Sequence, residues 1–446
     1  MTAQQLENQP LTNGDQASPA SIPAQRAYSP LTLWAAAAFA VILGFSRLSY
    51  GLVLPALRAN LHGSYRVFGL VGSANLGGYL LGMLLIPILL NHIHDRRRLN
   101  TFALLALSVT MIVSALSVSL IDLALWRLLI GVWSAFATVL TITLTLERVV
   151  PAERGQASGV LWMGGSAGLV ISGALAPLAI GAGIPGAWRL LWVGMGLVGL
   201  VATWGVRRSL RPDSSHPPRR GSIPPGNGSV DATLLTAEKR ADSPPGSADA
   251  NGWRAGVSQL LHPSRLLALS LSYFAAAFAY IIYFTFVIAL VIHQGLPPVL
   301  AGLVWSLAGA GGVIGSLGWG RAIDRWPSGF ILAMALALAA VGAVTALSGQ
   351  LALESVGAFL IGMGSFGAPT IVTALLKRAV PGEGYATSLS LMTAIFSAGQ
   401  LIGPIVAGMV VDAEGLALGT ASAALLFSCA TLLAAGYGVR QRHDSR

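Results

Sequence analysis

One arginine stands in the middle of an apolar stretch that is long enough to cross a bilayer. Arg47 is the only charged residue between positions 32 and 57. A charge at that depth costs a few kcal/mol or more unless it meets a partner or a wet cavity. On a helix Arg47 shares a face with Gly44, Tyr50 and Gly51. We therefore predict that it points into a helix bundle, where its planar fork suits a carboxylate or phosphate. The alternative is a structural arginine, held by an ion pair or a backbone carbonyl.

Five further polar side chains lie in apolar surroundings. They are predicted to line a substrate cavity together with Arg47. Tyr50, Tyr280 and Tyr283 each combine an apolar ring with a hydrogen-bonding hydroxyl. Asn75 and Gln400 can line a cavity or simply bond between helices. For all five the competing interpretation is helix packing.

The composition predicts a membrane protein. Of the 446 residues, 54% are hydrophobic and only 10% are charged, which excludes an ordinary soluble protein. The net charge of +10 lies in short loops rather than on one face, so a nucleic-acid partner is not expected. The single cysteine, Cys429, excludes an internal disulfide and is predicted to be a small core residue. With no nucleophile motif, metal cluster or G-x-x-x-x-G-K loop, no enzyme, metal or cofactor is expected.

Twelve apolar segments approach the ~20 residues that a membrane-crossing helix needs. They should be helices, because lipid cannot satisfy free backbone groups. Their cores are residues 32–57, 67–90, 101–121, 123–146, 157–181, 188–206, 266–292, 299–319, 329–348, 353–376, 387–411 and 418–438.

The loops predict the orientation. If the N-terminus is cytoplasmic, 22 of the 27 Lys and Arg residues fall on the cytoplasmic side. Positive-inside selection produces this distribution, so both termini are predicted to be cytoplasmic, in a bacterial inner membrane. Arg127 then lies about one turn below the outer surface, where it could snorkel to water. Glu354 lies at the outer end of its segment and is predicted to be an interfacial anchor, with a proton site as the second choice.

Five regions follow from this pattern. Residues 1–30 and 440–446 are predicted cytoplasmic tails, the first of them disordered. Residues 31–208 and 263–439 are predicted six-helix bundles. The Pro-, Gly- and Ser-rich residues 209–262 are predicted to be a flexible cytoplasmic linker.

The two bundles are related in sequence. A shift of 233 places residues 69–71 (Gly-Leu-Val) on residues 302–304 and Tyr50 on Tyr283. A shift of 231 places residues 130–131 (Ile-Gly) on residues 361–362. Self-similarity at a nearly fixed offset indicates a duplicated unit. Two halves with the same orientation are parallel repeats, with a substrate path between them.

On these features the chain resembles the major facilitator superfamily of secondary transporters. Residues 320–325 match its G-x-x-x-D-R signature, whereas the first-half equivalents are degenerate. Helix one resembles that of the YbfB/YjiJ-type branch. The other matching residues are Arg127 and Gly131 of an R-x-x-x-G motif, and Gly164, Gly168, Gly399, Gly403 and Pro404 of helix-packing motifs.

The resemblance implies roles for these motifs. Gly320, Asp324 and Arg325 would belong to a gating loop, in which Asp324 latches one state. Arg127 and Gly131 would act in gating or proton coupling; a packing role for Arg127 is the alternative. The implied fold is all-α, with twelve transmembrane helices in two six-helix bundles related by a pseudo-twofold axis.

The function predicted is secondary transport of a small solute by alternating access. An organic anion is one candidate solute, and a proton or other ion gradient is the expected driving force. The alternatives are an efflux pump for drugs or metabolites and, from another class, a sensor or scaffold that no longer transports. The expected partners are the lipid bilayer and the solute, and the expected state is a monomer.

Overall fold

The computed structural model describes residues 25–90, 95–150, 153–181, 186–210, 264–380 and 384–444. Within these ranges the chain is helical, apart from one isolated parallel bridge between Gln25 and Val149. We count three abutting N-terminal helices as one. The helices described are then α1 Pro30–Leu61, α2 Tyr65–Leu90, α3 Arg96–Ser114, α4 Leu120–Leu146, α5 Arg154–Gly181, α6 Ala187–Ser209, α7 Ser264–His293, α8 Pro298–Arg325, α9 Gly329–Thr345, α10 Leu351–Ala379, α11 Gly384–Glu414 and α12 Leu416–Asp444.

Ten of the described helices are long and apolar enough to cross a membrane. The two others are α3, which begins with three arginines, and α9, which is apolar but only 17 residues long. Large apolar side chains such as Leu84, Leu125 and Leu432 are more than half exposed. Such a surface needs lipid rather than water around it. The protein is therefore embedded in a membrane and crosses it several times.

The predicted segments correspond to these helices in order, but one boundary is wrong. The third segment was predicted to run from 101 to 121, whereas α3 ends at Ser114 and α4 begins at Leu120. The intervening residues form a turn, after which the Ser119 side chain accepts a hydrogen bond from the Asp122 N–H and caps α4. Hydropathy alone misses this turn, because its residues are mostly apolar.

Helix α1 is interrupted by a π-helical stretch, residues 40–48. There the hydrogen bonds run from residue i to i+5, and the Ser49 hydroxyl also donates to the Gly44 carbonyl. The wider turn changes which residues share a face. Gly44 therefore packs against Gly168 of α5, whereas Gly51 packs against Phe284 of α7. The predicted common face of Gly44 and Gly51 is wrong for this reason.

The packing of α1–α6, the first half, recurs in α7–α12, the second half. Helix α2 packs on α4 as α8 packs on α10, and α3 packs on α6 as α9 packs on α12. The repetition extends to single residues. Three glycines in each half lie so close to the neighbouring helix that an added Cβ would collide with its backbone, and both the glycines and the residues they would hit are equivalent in the two halves. The pairs are Gly78 with Leu128, Gly82 with Val132 and Gly131 with Asn75, then Gly311 with Phe359, Gly315 with Met363 and Gly362 with Ala308. These positions differ by 233 or 231, the offsets found in the sequence.

The halves meet along α1·α7, α2·α11 and α5·α8. At the predicted outer face the Asp412 carboxylate of α11 accepts hydrogen bonds from the backbone N–H groups of Tyr65 and Arg66, each 2.8 Å long. Nearby, Gly302 of α8 packs on Pro177 of α5. The carboxylate caps the free N–H groups at the start of α2, where the helix dipole also favours a negative charge. This face of the interface between the halves is closed.

The predicted tail and linker fall largely outside the description. Residues 1–24 and 211–263 are not among the described residues. The last part of the predicted tail instead docks on the α4–α5 connection, where the Gln25 N–H donates to the Arg148 carbonyl and the Ala27 N–H to the Glu153 carboxylate. The prediction that Cys429 lies in the core is wrong, because this cysteine is exposed.

Candidate functional site

A small buried cavity lies between the halves, where α1, α2 and α4 face α7 and α11. It has room for about one water molecule, so in this state it is contracted around its lining. The side chains and glycines that line it are Arg47, Leu48, Tyr50, Gly51, Gly72, Asn75, Leu76 and Arg127 from the first half and Ile281, Phe284, Thr285 and Pro404 from the second. Five of the predicted site residues therefore come together here: Arg47, Tyr50, Asn75, Arg127 and Pro404.

Arg47 lies at the end of the π-helical stretch and is partly buried. Its guanidinium carbon lies 3.9 Å from the centre of the Tyr79 ring. Its Nε is buried without a hydrogen-bond partner, and the guanidinium forms no hydrogen bond or ion pair with any described residue. The cation–π contact offsets part of the cost of burying the charge. The five N–H donors remain available for a ligand.

Arg127 is only 2% exposed, so the prediction that it could snorkel to water is wrong. One of its guanidinium nitrogens donates to the Ser46 carbonyl over 2.6 Å, and its guanidinium carbon lies 4.7 Å from the centre of the Tyr50 ring. The Asn75 amide donates to the Arg127 carbonyl over 3.1 Å. The Asn75 carbonyl oxygen and the Arg127 Nε are buried without partners. The site is thus polar and ordered, but some of its hydrogen-bonding atoms have no partner among the described residues.

Ser46 was not predicted, and its part in the site has a structural cause. A π-helical turn leaves backbone carbonyls less regularly paired than an α-helix does, and the Ser46 carbonyl accepts from Arg127 instead. A sequence pattern with helical spacing carries no signal for this contact. Tyr79 was missed as well, although an aromatic residue one turn after Asn75 is a signal that could have indicated it.

Tyr280, Tyr283 and Gln400 do not line the cavity in this state. Both tyrosines are buried in an aromatic cluster next to it, where Tyr280 packs on Phe284 at 5.0 Å and Tyr283 packs on Phe284 at 5.4 Å between ring centres. Phe284 itself lines the cavity and also contacts Trp305 and Phe366 edge to face. The second half therefore contributes one aromatic residue, Phe284, to the cavity lining, whereas the rings in contact with the two arginines belong to the first half. Gln400 is buried on α11.

The charge of the site has no counter-charge within the described residues. The ion pairs among them are Arg96–Glu147 and Arg98–Asp95, both at the predicted inner face. No cluster of His, Cys, Asp and Glu able to hold a metal occurs in the described part of the chain. Two guanidinium groups thus line one small cavity without a carboxylate beside them. A low-dielectric site of this kind favours binding of an anion.

The motif residues of the predicted gating loop lie at the opposite end of α8 from the closed face. Asp324 and Arg325 are exposed, and Asp324 forms no hydrogen bond or ion pair with any described residue. The Arg325 guanidinium carbon lies 5.1 Å from the centre of the Trp326 ring, and a Cβ on Gly320 would make an ordinary contact with the Thr370 methyl group at 3.9 Å. No latch contact of Asp324 occurs within the described residues, and the role of Asp324 stays a prediction. The first-half equivalents Asn91 and His92 lie outside the described residues.

The predicted helix-packing glycines hold the helices that carry the site. Gly164 and Gly168 of α5 meet the backbone of α1, at Ala36 and Ala40. Gly399 and Gly403 meet α7 in the corresponding place, at Phe274 and Ile281. Gly131 lets α4 approach the Asn75 backbone, and Pro404 both lines the cavity and contacts Gly69 of α2. Small residues allow this close approach where no hydrophobic force drives helices together.

Comparison with known proteins agrees with this architecture. Residues 36–404 match the profile of the Major Facilitator Superfamily. The 3-(3-hydroxy-phenyl)propionate transporter of Escherichia coli (strain K12) is 26% identical over 378 residues, which are 83% of each chain. The nucleoside transporter NupG has a similar structure, with a TM-score of 0.66 at 11% identity, covering 92% of this chain and 97% of that one. A bacterial homologue of the human lysosomal transporter Spinster, in an inward-facing and occupied conformation, gives 0.64 at 18% identity over 94% and 98%.

Proposed function

Because this chain belongs to the Major Facilitator Superfamily, and is therefore a transporter rather than an enzyme, we propose that it is a secondary transporter of small organic anions. It binds the anion at Arg47 and Arg127 between its two halves and exposes this site to each side of the membrane in turn. A proton gradient drives the cycle. This proposal names the solute class and the driving force, which the fold alone does not determine.

One observation carries the proposal: Arg47 lies beside a buried cavity and forms no hydrogen bond or ion pair with any described residue. A guanidinium inside a membrane protein normally binds a carboxylate or a carbonyl, because leaving it unpaired is costly. Arg127 adds a second positive charge to the same cavity. A carboxylate arriving between them would receive charge-assisted hydrogen bonds, with two parallel bonds available from the fork of Arg47.

The aromatic rings of the second half narrow the class to aromatic carboxylates. Phe284 lines the cavity. Tyr280 packs on Phe284 with the two ring planes tilted, and it packs on Phe366 edge to face. Such rings bind a planar apolar body, while the guanidinium groups bind its charged end. The relative from Escherichia coli is a transporter of 3-(3-hydroxy-phenyl)propionate, which has both parts. The cavity must widen to admit such a molecule.

The closed face supports alternating access. Asp412 and Pro177 close the interface at the predicted outer side, whereas Asp324 at the predicted inner side has no partner among the described residues. In the opposite state we expect the Asp412 contacts to open and Asp324 to accept hydrogen bonds from a helix N-terminus. The duplicated packing of the two halves suits a rigid-body rocking motion.

The topology belongs to the same proposal. We infer that α3 and α9 also cross the membrane, which makes twelve spans, with both termini cytoplasmic and the protein a monomer in a bacterial inner membrane. The short length of α9 fits a local thinning of the bilayer at modest cost. The three arginines that open α3 would then stay in the cytoplasmic interface, as the positive-inside rule requires.

Counterflow in proteoliposomes tests the proposal. Vesicles loaded with unlabelled 3-(3-hydroxyphenyl)propionate should take up the labelled compound faster than vesicles without protein. Three competitors of matched shape then separate the classes: 3-phenylpropionate, its neutral amide and 3-phenylpropylamine. Only the carboxylate should compete strongly, because only it neutralises the guanidinium groups. A cyclohexyl analogue of the acid should compete more weakly.

The alternatives predict different results. Stronger competition by the amine than by the acid would favour an efflux pump for cationic drugs and would contradict the anion site. Thermal stabilisation of the purified protein by the acid without any exchange would favour a sensor. Arg47→Gln must lower the exchange rate; exchange at the wild-type rate in this variant would exclude the proposed contact.

A further inference from the structure

One buried carboxyl group is not used by the anion site. Glu354 lies in the first turn of α10 and is only 1% exposed, so its predicted role as an interfacial anchor is wrong. Neither of its carboxyl oxygens has a hydrogen-bond partner among the described residues, although the backbone N–H of Gly349 lies near enough to act on the charge. An ionised carboxylate in such a place costs several kcal/mol, whereas the protonated acid costs far less.

A second unpartnered group faces it from α7. The Tyr283 hydroxyl is buried without a hydrogen-bond partner, and Tyr283 lies within electrostatic range of Glu354. The equivalent tyrosine of the first half, Tyr50, instead donates to the Phe68 carbonyl over 2.7 Å. The second half therefore keeps free a hydroxyl that the first half uses for packing, on the side where it also carries a buried acid.

No cation neutralises this acid within the part of the chain that the structure describes. Of the helices packed against α10, α9 has no titratable residue, and α8 has only Arg321, Asp324 and Arg325 at its far end. Helix α7 contributes Tyr283 and, at its outer end, the exposed His293. Helix α11 contributes Asp412, which binds α2, and the exposed Glu414. Lysine and arginine on α10 itself stand at its inner end.

The acid is linked to the interface between the halves. Phe284, the residue after Tyr283, packs its carbonyl group against Gly51 of α1 across that interface. Any motion that opens the predicted outer face must separate this pair and shift the backbone beside the Tyr283 ring. Water can then reach a carboxyl group that lies only one turn from the outer end of α10.

We propose that Glu354 is the proton-binding carboxyl group of this transporter. It is protonated while the outer face is closed, and it gives its proton to water when that face opens. Closing the face again requires the carboxylate to take one proton back from outside water, so the proton returns to the side that it left and acts as a switch on the outer face. The inference does not rest on the proposed transport function, because the link between protonation and closure needs no substrate.

The first experiment measures that link directly and needs no ligand. Spin labels at Asn60→Cys and Val299→Cys, in a Cys429→Ser background, report the distance across the outer face. Raising the pH from 5 to 9 should increase the open population, by at most about tenfold per pH unit for one proton. In Glu354→Gln, which mimics the neutral acid, the distance should stay short at every pH.

Two further variants sharpen this result. Glu354→Leu carries the residue that the first half has at the equivalent position, Leu123, and should also stay closed. Glu414→Gln removes an exposed carboxylate from the same face and should respond like the wild type. A wild type with no pH response, or a Glu354→Gln variant that opens with pH as the wild type does, would overturn the proposal even if no anion were ever transported.

The second experiment tests the effect on transport. In proteoliposomes Glu354→Gln should exchange labelled 3-(3-hydroxyphenyl)propionate much more slowly than the wild type at every pH, because exchange requires the outer face to open. Glu414→Gln should exchange at the wild-type rate. Exchange by Glu354→Gln at the wild-type rate would refute the proposal.

Discussion

The two halves share a scaffold but differ at equivalent positions in and around the cavity. Where the first half has Arg47, Asn75 and Arg127, the second has Tyr280, Ala308 and Ala358 at the equivalent positions. Where the second half has the buried Glu354, the first has the buried Leu123. The first half therefore holds the two positive charges of the cavity, and the second holds the buried acid. Duplication supplied a symmetric frame, and substitution at a few inward positions made the site asymmetric.

The two interfaces at the closed face, α2·α11 and α5·α8, also differ from each other. On α2·α11 the Asp412 carboxylate joins the halves through two hydrogen bonds to backbone N–H groups. On α5·α8 Pro177 packs against Gly302 instead. The α8 end of that contact begins with prolines at 297 and 298, which have no N–H to offer a carboxylate. One interface is therefore held by polar capping and the other by close packing.

The largest expected effect is at Arg47. Arg47→Ala should weaken anion binding by about 2–4 kcal/mol, roughly 30- to 700-fold, because the charged end of the ligand loses its partner. The equivalent change in the second half, Tyr280→Phe, should have a much smaller effect, since it keeps the ring. Binding of 3-(3-hydroxyphenyl)propionate to purified protein by calorimetry measures both. Equal losses in the two variants would contradict the asymmetry.

Asn75→Asp should have the second-largest effect on anion affinity. The substitution preserves the shape of the side chain but places a carboxylate beside Arg127, where it would act as an internal counter-ion and compete with the anion. We expect a loss of affinity of about 1.4–3 kcal/mol, on the order of 10- to 100-fold. The control Ala308→Asn tests the equivalent position without adding a charge. A variant with Asp at 75 and undiminished anion affinity would show that charge is not what the site recognises.

The shared scaffold predicts equal effects on stability in the two halves. Gly131→Ala and Gly362→Ala each place a methyl group against a backbone carbonyl, of Asn75 and Ala308 respectively. Each should destabilise the folded protein by about 1–3 kcal/mol. Gly318→Ala, at a site with open space, is the control. Thermal unfolding of the purified variants measures this; a large difference between the first two would mean that the halves do not pack alike.

The smallest expected effect is at the closed face. Asp412→Asn removes the charge that caps α2 and should cost about 1 kcal/mol, enough to shift the outer-closed population roughly fivefold toward the open state. Pro177→Ala, on the other interface, should shift it less. The label pair at Asn60→Cys and Val299→Cys reads both populations. A closed population that is unaffected by Asp412→Asn would assign the closure to helix packing alone.

The sequence predicted the order and duplication of the helices well, because these depend on composition and periodicity. The order of the apolar segments, the family and the repeat offsets of 233 and 231 are confirmed. The sequence also indicated Arg47 as a site residue, because a lone charge in an apolar helix is costly unless it meets a partner or a wet cavity. The errors arose where a backbone departed from regular geometry, as in the π-helical stretch of α1 and the turn before Leu120.

Hydropathy thus determined that the chain is embedded in a membrane with an arginine inside an apolar helix, and the motifs indicated a transporter family, since each residue carries that information locally. Only the tertiary structure decided which groups share the cavity and which stay unpaired. It buried Arg127 and Glu354, which the sequence had assigned to interfaces, and it bound the Arg127 guanidinium to the Ser46 carbonyl. The reason is physical: the energy of a polar group depends on its partners and its distance from water, and residues far apart in the chain determine both.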